Sequence, residues 1–230
     1  MRLPSVLRNH WTSALLVAAL GAVFLLGYVP SGTDSGSPVA ADSTLPAAVA
    51  DTATFAGGCF WCMEPPYDEI DGVAATISGY SGGEIANPTY RQVAGGQTNH
   101  TETVQIIYDS TKVDYERLLR IYWHNVDPFD GTGQFCDRGA QYRPAIFVHD
   151  EQQRRLAEET KASVAAQFDQ SIAVEIEPLS AFYAAEEYHQ NFYQKNPRRY
   201  KTYRRGCGRD ARLQEIWGTA AGSDAQLARR

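Results

Sequence analysis

Alternating polar and apolar residues indicate strands in this chain, because successive side chains of a strand point to opposite faces. Residues 101–108 alternate in this way and predict a strand with one buried face. Glu102 lies on the face of that strand that also carries Val104 and Ile106. Short runs with β-branched residues predict four further strands, over residues 52–56, 73–78, 145–148 and 172–176.

Apolar residues three to four positions apart predict helices, and an acidic residue before such a stripe marks the helix start. Asp114 precedes a helix that is predicted to end near Asn125. Asp150 precedes a longer amphipathic helix that is predicted to end near Phe168. Further predictions are short helices over residues 63–70 and 186–195, long loops over 79–99 and 129–141, and an irregular basic segment after Pro197.

These strands and helices lack the regular βαβ spacing of a dinucleotide-binding fold, and no glycine-rich phosphate loop is present in the sequence. The predicted fold class is therefore α+β. Residues 51–218 are predicted to form one domain, since a chain of 230 residues with 43% apolar content can bury one core. Residues 219–230 are mostly small and polar and predict a flexible tail.

The first 41 residues differ in kind from the rest. Arg2 and Arg8 precede an apolar run over residues 13–29, and small residues follow it at 39–41. This order is typical of a secretory signal peptide. An uncleaved anchor is the alternative, because the run is close to the roughly 20 residues that span a bilayer. We therefore expect residues 42–50 to be a linker and the protein to be exported, either periplasmic or anchored facing the periplasm.

The chain is acidic, with a formal net charge of −6, which argues against a nucleic-acid partner. Contact with a membrane is expected only if the N-terminal segment stays uncleaved. In an exported protein the four cysteines would commonly form structural disulfides. A domain of this size does not need them for its stability, and one cysteine lies in a glycine-rich turn, so the sequence favours a chemical role.

That turn has the sequence Gly-Gly-Cys-Phe-Trp-Cys at residues 57–62, between a predicted strand and a predicted helix. Backbone N–H groups and the helix dipole stabilise a thiolate at a helix start, so Cys59 is the predicted nucleophile. Gly57 and Gly58 leave room for a substrate or another backbone beside it.

Cys59 and Cys62 also form a Cys-x-x-Cys pair, which leaves a thioredoxin-like disulfide oxidoreductase as the leading alternative. That fold would place a βαβ unit ahead of the pair, whereas a single predicted strand precedes it here. A zinc site built from all four cysteines is a second alternative. Cys136 and Cys207 lack the close spacing of structural zinc ligands, so we expect no metal.

A series of ordered motifs resembles the type A peptide methionine-S-sulfoxide reductases over roughly residues 52–218. These motifs are Gly57-Gly58-Cys59-Phe60-Trp61, Ser78-Gly79-Tyr80-Ser81-Gly82-Gly83, Asn87-Pro88-Thr89-Tyr90-Arg91, His100-Thr101-Glu102 and Gln141-Tyr142-Arg143-Pro144-Ala145-Ile146. The resemblance implies a mixed sheet with packed helices, in a two-layer ferredoxin-like core followed by a long irregular C-terminal segment. It also implies thiol-dependent reduction of the S epimer of methionine sulfoxide, without a metal or organic cofactor.

The resemblance assigns the chemistry to residues of these motifs. Cys59 would attack the sulfoxide sulfur, and Glu102 would protonate the leaving oxygen. A buried carboxylic acid suits this role because burial raises its pKa toward neutrality. Tyr90 and Tyr142 would donate hydrogen bonds that stabilise the charge developing on the oxygen.

The substrate would be methionine sulfoxide in oxidised proteins or as the free amino acid. Phe60 and Trp61 would hold its methyl group, since aromatic walls suit a methyl and a sulfur, and Asp137 would orient the pocket. Of the histidines, His100 is expected to have a supporting hydrogen-bond role. The others, including His189, are expected to be structural.

A second thiol must condense with the Cys59 sulfenic acid that this reaction leaves. Cys207 is favoured, because its Gly-Cys-Gly setting resembles the family's recycling cysteine and nearby arginines favour its thiolate. Cys62 and Cys136 stay open as alternatives. The resemblance implies that a thioredoxin-like reductant then restores the thiols, and we expect the protein to be a monomer.

Overall fold

The computed structural model describes residues 49–227, and the main element of this range is a mixed sheet of six strands in the order β7-β6-β1-β3-β2-β8. Only the β6–β7 pair is parallel. The strands are β1 (Ala50–Gly57), β2 (Val73–Ser81), β3 (Thr101–Asp109), β4 (Gly133–Gln134), β5 (Asp137–Arg138), β6 (Pro144–Val148), β7 (Glu175–Pro178) and β8 (Phe182–Ala184).

Helices connect these strands and follow them in the chain. They are α1 (Pro65–Asp68), α2 (Tyr90–Ala94), α3 (Tyr115–Trp123), α4 (Glu151–Ala165), α5 (Phe192–Lys195), α6 (Pro197–Gly206) and α7 (Arg209–Trp217). The sheet and its helices confirm the predicted α+β class. The central four strands, β6-β1-β3-β2, are antiparallel neighbours, and α1, α2 and α3 lie in the connections between them.

The apolar stripe of α3 packs in the main core, as its spacing predicted. Leu118, Leu119 and Trp123 are fully buried, and the Trp123 indole N–H donates to Thr160 Oγ1 of α4 at 3.0 Å. Asp114 caps α3 by accepting a hydrogen bond from the backbone N–H of Arg117, and Asp150 caps α4 in the same way. Both predicted helix starts are therefore confirmed, and both helices end a few residues before the predicted positions.

Antiparallel pairing brings the ends of three central strands together at one end of the sheet. β1 lies between β3 and β6, with Gly57 opposite Pro144, and Tyr80 of β2 lies opposite Glu102 of β3. The end of β1 and the starts of β3 and β6 therefore meet. Segments that are far apart in the sequence converge there, around Cys59 and Glu102.

Three of the predicted boundaries are wrong. β2 continues to Ser81 and α2 occupies part of the predicted loop over residues 79–99. The predicted loop over 129–141 contains the two-residue pair β4–β5. β7 begins at Glu175 rather than at 172. The second face of β3 is also largely buried near its start, where Thr103 is 1% exposed.

The C-terminal part of the domain is also more regular than predicted. The helix predicted over 186–195 is reduced to the four residues of α5. Pro197, which was expected to end that helix, begins α6, a position where the missing N–H of proline has no consequence. The predicted irregular segment after it is wrong, since α6 and α7 account for most of it.

Residues 219–227, which the sequence assigned to a tail, contact α3. Arg117 Nε donates to an Asp224 carboxylate oxygen at 2.8 Å, and Leu227 is 9% exposed. The predicted signal or anchor segment over residues 1–41 lies outside the described residues. Within 49–227 no helix has both the length and the apolar character to cross a membrane.

Candidate active site

Cys59 lies two residues after the end of β1, in a tight turn that leads into a single turn of 3₁₀ helix over Phe60–Cys62. Gly58 has a φ of +83°, the left-handed region that glycine adopts without strain. A Cβ at Gly57 would lie 2.6 Å from the Met63 sulfur. These glycines are therefore required by the turn and by its packing, and Cys59 is only 7% exposed.

Glu102 is held directly behind this turn. Its Oε2 accepts a hydrogen bond from the backbone N–H of Phe60 at 3.1 Å, and the residue is 2% exposed. Burial raises the pKa of the Glu102 carboxyl to about 8, against the smaller lowering effect of the Phe60 N–H. Glu102 therefore carries a proton at neutral pH, next to the residue that follows Cys59.

Tyr90 and Tyr142 lie close enough to Cys59 and Glu102 to interact with them electrostatically. Burial, followed by the charges of Glu102 and Cys59, raises the pKa of Tyr90 to about 12. Burial and the Glu102 charge also raise the pKa of Tyr142. Both phenols keep their protons and are available as hydrogen-bond donors. The backbone N–H of Tyr90 is in turn fixed by Glu186 Oε1 at 2.9 Å.

Asp137 reaches the site through Tyr203 of α6. The Tyr203 hydroxyl donates to Asp137 Oδ2 and also lies in hydrogen-bonding contact with the Cys59 thiol. Burial raises the pKa of Asp137, while the Tyr203 hydroxyl lowers it. Asp137 therefore orients Tyr203 next to Cys59.

The two thiols of the Cys-x-x-Cys pair are inequivalent. Burial raises the pKa of Cys59 well above its ordinary value. The hydrogen bond from Cys59 lowers the pKa of Cys62 to about 6, and Arg209 and Arg204 add to this effect. When the pair loses one of its two protons, the negative charge therefore lies on the Cys62 sulfur. The prediction that the helix start stabilises a Cys59 thiolate is wrong here, because a three-residue turn supplies little dipole and the thiol is buried.

Aromatic rings form the wall beside this pair. Trp61 stacks on Phe192 with ring centroids 3.6 Å apart, and its indole N–H donates to His189 Nδ1 at 3.1 Å. Phe60 is 1% exposed and packs against the His189 ring at 5.0 Å. Trp61 is therefore a half-buried part of this wall, whereas Phe60 supports the wall from behind in this structure.

Residues 51–221 match the family model described as peptide methionine sulfoxide reductase. The chain belongs to the peptide methionine sulfoxide reductase family. Two similar proteins are the peptide methionine sulfoxide reductases MsrA of Ligilactobacillus salivarius and Bacillus licheniformis. The first is 52% identical over 169 residues, covering 73% of this chain and 98% of that protein. The second is 50% identical over 170 residues, covering 73% of this chain and 94% of that protein.

Solved structures of the family have the same fold. Mxr1 from Saccharomyces cerevisiae in reduced form matches with a TM-score of 0.63 and 31% identity, over 66% of this chain and 89% of that chain. Methionine sulfoxide reductase A of Corynebacterium diphtheriae matches with a TM-score of 0.60 and 35% identity, over 67% of this chain and 78% of that chain. The predicted family and enzyme class, an oxidoreductase of the methionine sulfoxide reductase type, are confirmed.

Family membership removes the thioredoxin-like alternative, and the geometry of the site agrees. A disulfide oxidoreductase must present its attacking cysteine to the disulfide of another protein, and that cysteine commonly has the lowered pKa. Here Cys59 and Cys62 are 7% and 2% exposed, and the lowered pKa belongs to the second cysteine.

The other two cysteines form a disulfide at the surface. Cys136 and Cys207 are bonded, with Cα atoms 4.9 Å apart, while Cys59 and Cys62 are free. Cys207 is therefore joined to Cys136 here, not to Cys59 as we predicted for the oxidised enzyme. The four-cysteine zinc alternative does not form in this structure, because two of its ligands are bonded to each other.

His189 belongs to the site, although the sequence analysis assigned it a purely structural role. It is 2% exposed, and burial lowers its pKa to about 4, so the imidazole is neutral. Its ring lies 4.4 Å from the Tyr90 ring and accepts the Trp61 N–H. His100 has the predicted supporting role, since its Nδ1 accepts from the Gly83 N–H at 3.1 Å.

Two carboxyls that organise the site were missed altogether. Glu186 joins the hydroxyl of Tyr80 to the backbone of Tyr90, with both bonds at 2.9 Å. Glu64 is fully buried and accepts from the Ser78 hydroxyl at 2.9 Å. Burial raises the pKa of Glu64 to about 7. An acidic residue one position after Met63, inside the short helix predicted over residues 63–70, was the signal that could have found it.

Proposed function

We propose that this protein reduces the S epimer of methionine sulfoxide, free or within proteins, with Cys59 as the nucleophile and Glu102 as the acid. The observation that carries the proposal is the buried Glu102 carboxyl, which accepts the N–H of Phe60, the residue after Cys59, and whose pKa burial raises. A sulfoxide oxygen must be protonated before it can leave, and a thiol alone does not supply that proton in a buried site.

In the proposed first step, the substrate methyl lies against Trp61 and the sulfoxide oxygen lies toward Glu102. Cys59 attacks the sulfur while its proton passes to Cys62, whose lowered pKa makes it a base at neutral pH. Glu102 protonates the oxygen, and Tyr90 and Tyr142 stabilise it as the sulfur–oxygen bond breaks. The hydroxide released from the substrate then attacks the Cys59 sulfur and breaks its bond to the substrate sulfur. Methionine leaves with the two electrons of that bond, and Cys59 remains as the sulfenic acid.

Regeneration is proposed to begin inside the site. The Cys62 thiol condenses with the Cys59 sulfenic acid, forming a disulfide and releasing water. Cys207 and Cys136 then exchange with this disulfide, so that Cys59 and Cys62 return to thiols and the surface pair becomes oxidised. The observed state, with free Cys59 and Cys62 and a Cys136–Cys207 bond, supports this order.

Asp137 connects the buried Cys59–Cys62 pair with the surface Cys136–Cys207 pair. The Cys207 sulfur lies 3.9 Å from Asp137 Oδ2, the atom that accepts from the Tyr203 hydroxyl beside Cys59. We propose that a thioredoxin-like dithiol finally reduces the surface disulfide. The steps require thiols, carboxyls and phenols, with no metal or organic cofactor.

Export is a separate part of the proposal and rests on the pattern of residues 1–41. We propose a periplasmic protein, or one anchored facing the periplasm, that acts as a monomer with a catalytic domain over 51–218. Cell fractionation tests this location. Full-length protein found only in the cytoplasm would contradict it.

The activity is tested by incubating the protein with each epimer of methionine sulfoxide and dithiothreitol. The proposal predicts conversion of the S epimer to methionine and no conversion of the R epimer. Cys59→Ser serves as the matched inactive control. Equal consumption of both epimers, or of neither, would rule the proposal out.

A further inference from the structure

The outward face of α6 carries a stripe of unpaired positive charge. Arg198, Lys201 and Arg205 are exposed and lie three and four positions apart, on one side of the helix. Among residues 49–227, none of these three side chains has an ion-pair partner. The helix sequence Pro-Arg-Arg-Tyr-Lys-Thr-Tyr-Arg-Arg-Gly contains no acidic residue to neutralise them.

Several arginines on other helices pair with acidic neighbours. Arg154 and Arg155 of α4 lie within 4.0 Å of glutamates one helical turn away. Arg120 of α3 pairs with Glu116, and Arg212 of α7 pairs with Asp127. In a chain of net charge −6, the bare stripe on α6 is therefore a local feature and not a result of overall composition.

Helix stability does not account for the whole stripe. Arg205 lies in the last turn of α6, where a cation stabilises the helix dipole. Arg198 lies in the first turn, where a cation opposes that dipole and no acidic residue offsets it. Its neighbour Arg199 lies over the Trp61 ring at 5.7 Å, and Arg204 pairs with Asp210 on the inner side. The outer charges have no such internal partner.

The stripe leads to the surface disulfide, because Cys207 is the residue that ends α6. Cys136 is exposed while Cys207 is half-buried, so an incoming thiolate reaches Cys136 first. The Cys207 sulfur accepts the backbone N–H of Cys136 at 3.3 Å, which stabilises it as a leaving thiolate. A protein that attacks this bond must place its own surface against the end of α6.

We propose that the face of α6 formed by Arg198, Lys201 and Arg205 is the docking surface for the protein that reduces the Cys136–Cys207 disulfide. This partner is a dithiol protein with acidic residues around its reactive thiols. Its thiolate attacks the Cys136 sulfur, and Cys207 leaves as a thiolate. The partner's second thiol then resolves the mixed disulfide, so the partner becomes oxidised and both cysteines are reduced. The proposal rests on the recycling role given to this disulfide above.

Charge complementarity favours such a partner over the sulfoxide substrate. The substrate must reach Cys59, which the inner side of α6 faces through Tyr203. The three cations are exposed to solvent, and Arg205 lies two residues before Cys207, at the end of α6. Opposite charges around two reacting thiols raise the rate of encounter, and salt screens this effect.

The test measures the second-order rate at which a reduced, negatively charged thioredoxin reduces the Cys136–Cys207 disulfide of the full-length protein. The variant is R198Q/K201Q/R205Q, and the charge-matched control is K112Q/R154Q/R155Q. We expect the rate to fall roughly tenfold or more in the variant, within the range of electrostatic steering. The rate of the variant should also depend much less on salt concentration than the rate of the parent. The control, and reduction of either protein by dithiothreitol, should match the parent.

Several results would overturn the proposal: an unchanged rate in the α6 variant, an equal fall in the control variant, or an equal fall with dithiothreitol. Reduced binding to anionic lipid vesicles, or a higher KM for an acidic sulfoxide peptide, with an unchanged thioredoxin rate would assign the stripe to a membrane or to the substrate instead. Because the measurement contains no methionine sulfoxide, its outcome is independent of the epimer test of the proposed activity.

Discussion

The four cysteines lie in two pairs, one inside the protein and one at its surface. Cys59 and Cys62 are buried, free and linked to a protonated acid and an aromatic wall. Cys136 and Cys207 are bonded to each other, and Cys136 is exposed to solvent. Burial excludes water and large reductants from the first pair, whereas exposure gives the second pair access to another protein. The same residue type therefore suits two tasks, according to its surroundings.

The largest expected difference between the pairs is in the chemical step. Cys59→Ser should lower methionine formation by roughly 10⁴-fold or more, because it removes the nucleophile. Cys136→Ser should leave turnover with dithiothreitol nearly unchanged, because this small reductant can reach an enzyme disulfide directly. Initial rates with the S epimer provide the measurement. Comparable losses in both variants would mean that the surface pair takes part in the chemistry.

The next prediction concerns Glu102, the acid that lies beside the buried cysteine pair. Glu102→Gln should slow the single-turnover step by roughly 10²- to 10⁴-fold, the usual contribution of a positioned acid. In the parent, this rate should fall as the pH rises through about 8, because Glu102 then loses its proton. The variant should lack this fall. A parent profile that stays level to pH 9 would contradict the acid role.

A smaller effect is expected at the aromatic wall. His189→Phe removes the acceptor of the Trp61 N–H and should raise KM about five- to tenfold, with a smaller change in kcat, because one buried hydrogen bond contributes about 1 kcal/mol. His124→Phe is the matched control, since His124 is also buried against a tryptophan, Trp217, whose centroid is 5.1 Å away. Equal effects of the two substitutions on KM would indicate a general loss of stability.

A further prediction concerns the stability of the buried region and not its catalysis. The folded pKa of Glu64 is about 7, above its ordinary value of 4.5, so the folded state keeps a proton that the unfolded state releases. The free energy of unfolding should therefore fall by up to about 3 kcal/mol as the pH rises from 4.5 to above 7. Glu64→Gln should flatten part of this slope. Urea unfolding at pH 5 and pH 8 measures it, and identical slopes in both proteins would contradict it.

Local patterns predicted the elements that depend on neighbouring residues. The caps Asp114 and Asp150, the stripe of α3 and the strand around Glu102 follow from spacing alone. The C-terminal helices were missed because a proline after a helical pattern commonly ends a helix, whereas Pro197 begins one here. Its position within α6 depends on how residues before it pack on the Trp61 wall.

The site was predicted only as far as its motifs reach. The resemblance supplied Glu102 and the two tyrosines. The roles of His189 and Glu186 come from contacts made by the segment after β8 with Trp61 and Tyr90, and no local pattern encodes those contacts. The pKa order of Cys59 and Cys62 likewise depends on burial and on distant arginines. Tertiary environment, which the sequence does not display, decides such properties.

The transfer of oxidation from the buried pair to the surface pair is tested most directly by mapping disulfides after one turnover. Fully reduced protein is mixed with one equivalent of the S epimer, quenched with an alkylating reagent and digested. The account predicts one methionine per protein and a Cys136–Cys207 disulfide, whereas Cys207→Ser should accumulate a Cys59–Cys62 disulfide and lose most thioredoxin-supported turnover. A dominant Cys59–Cys207 bond in the parent, or full thioredoxin-supported turnover in Cys207→Ser, would contradict it.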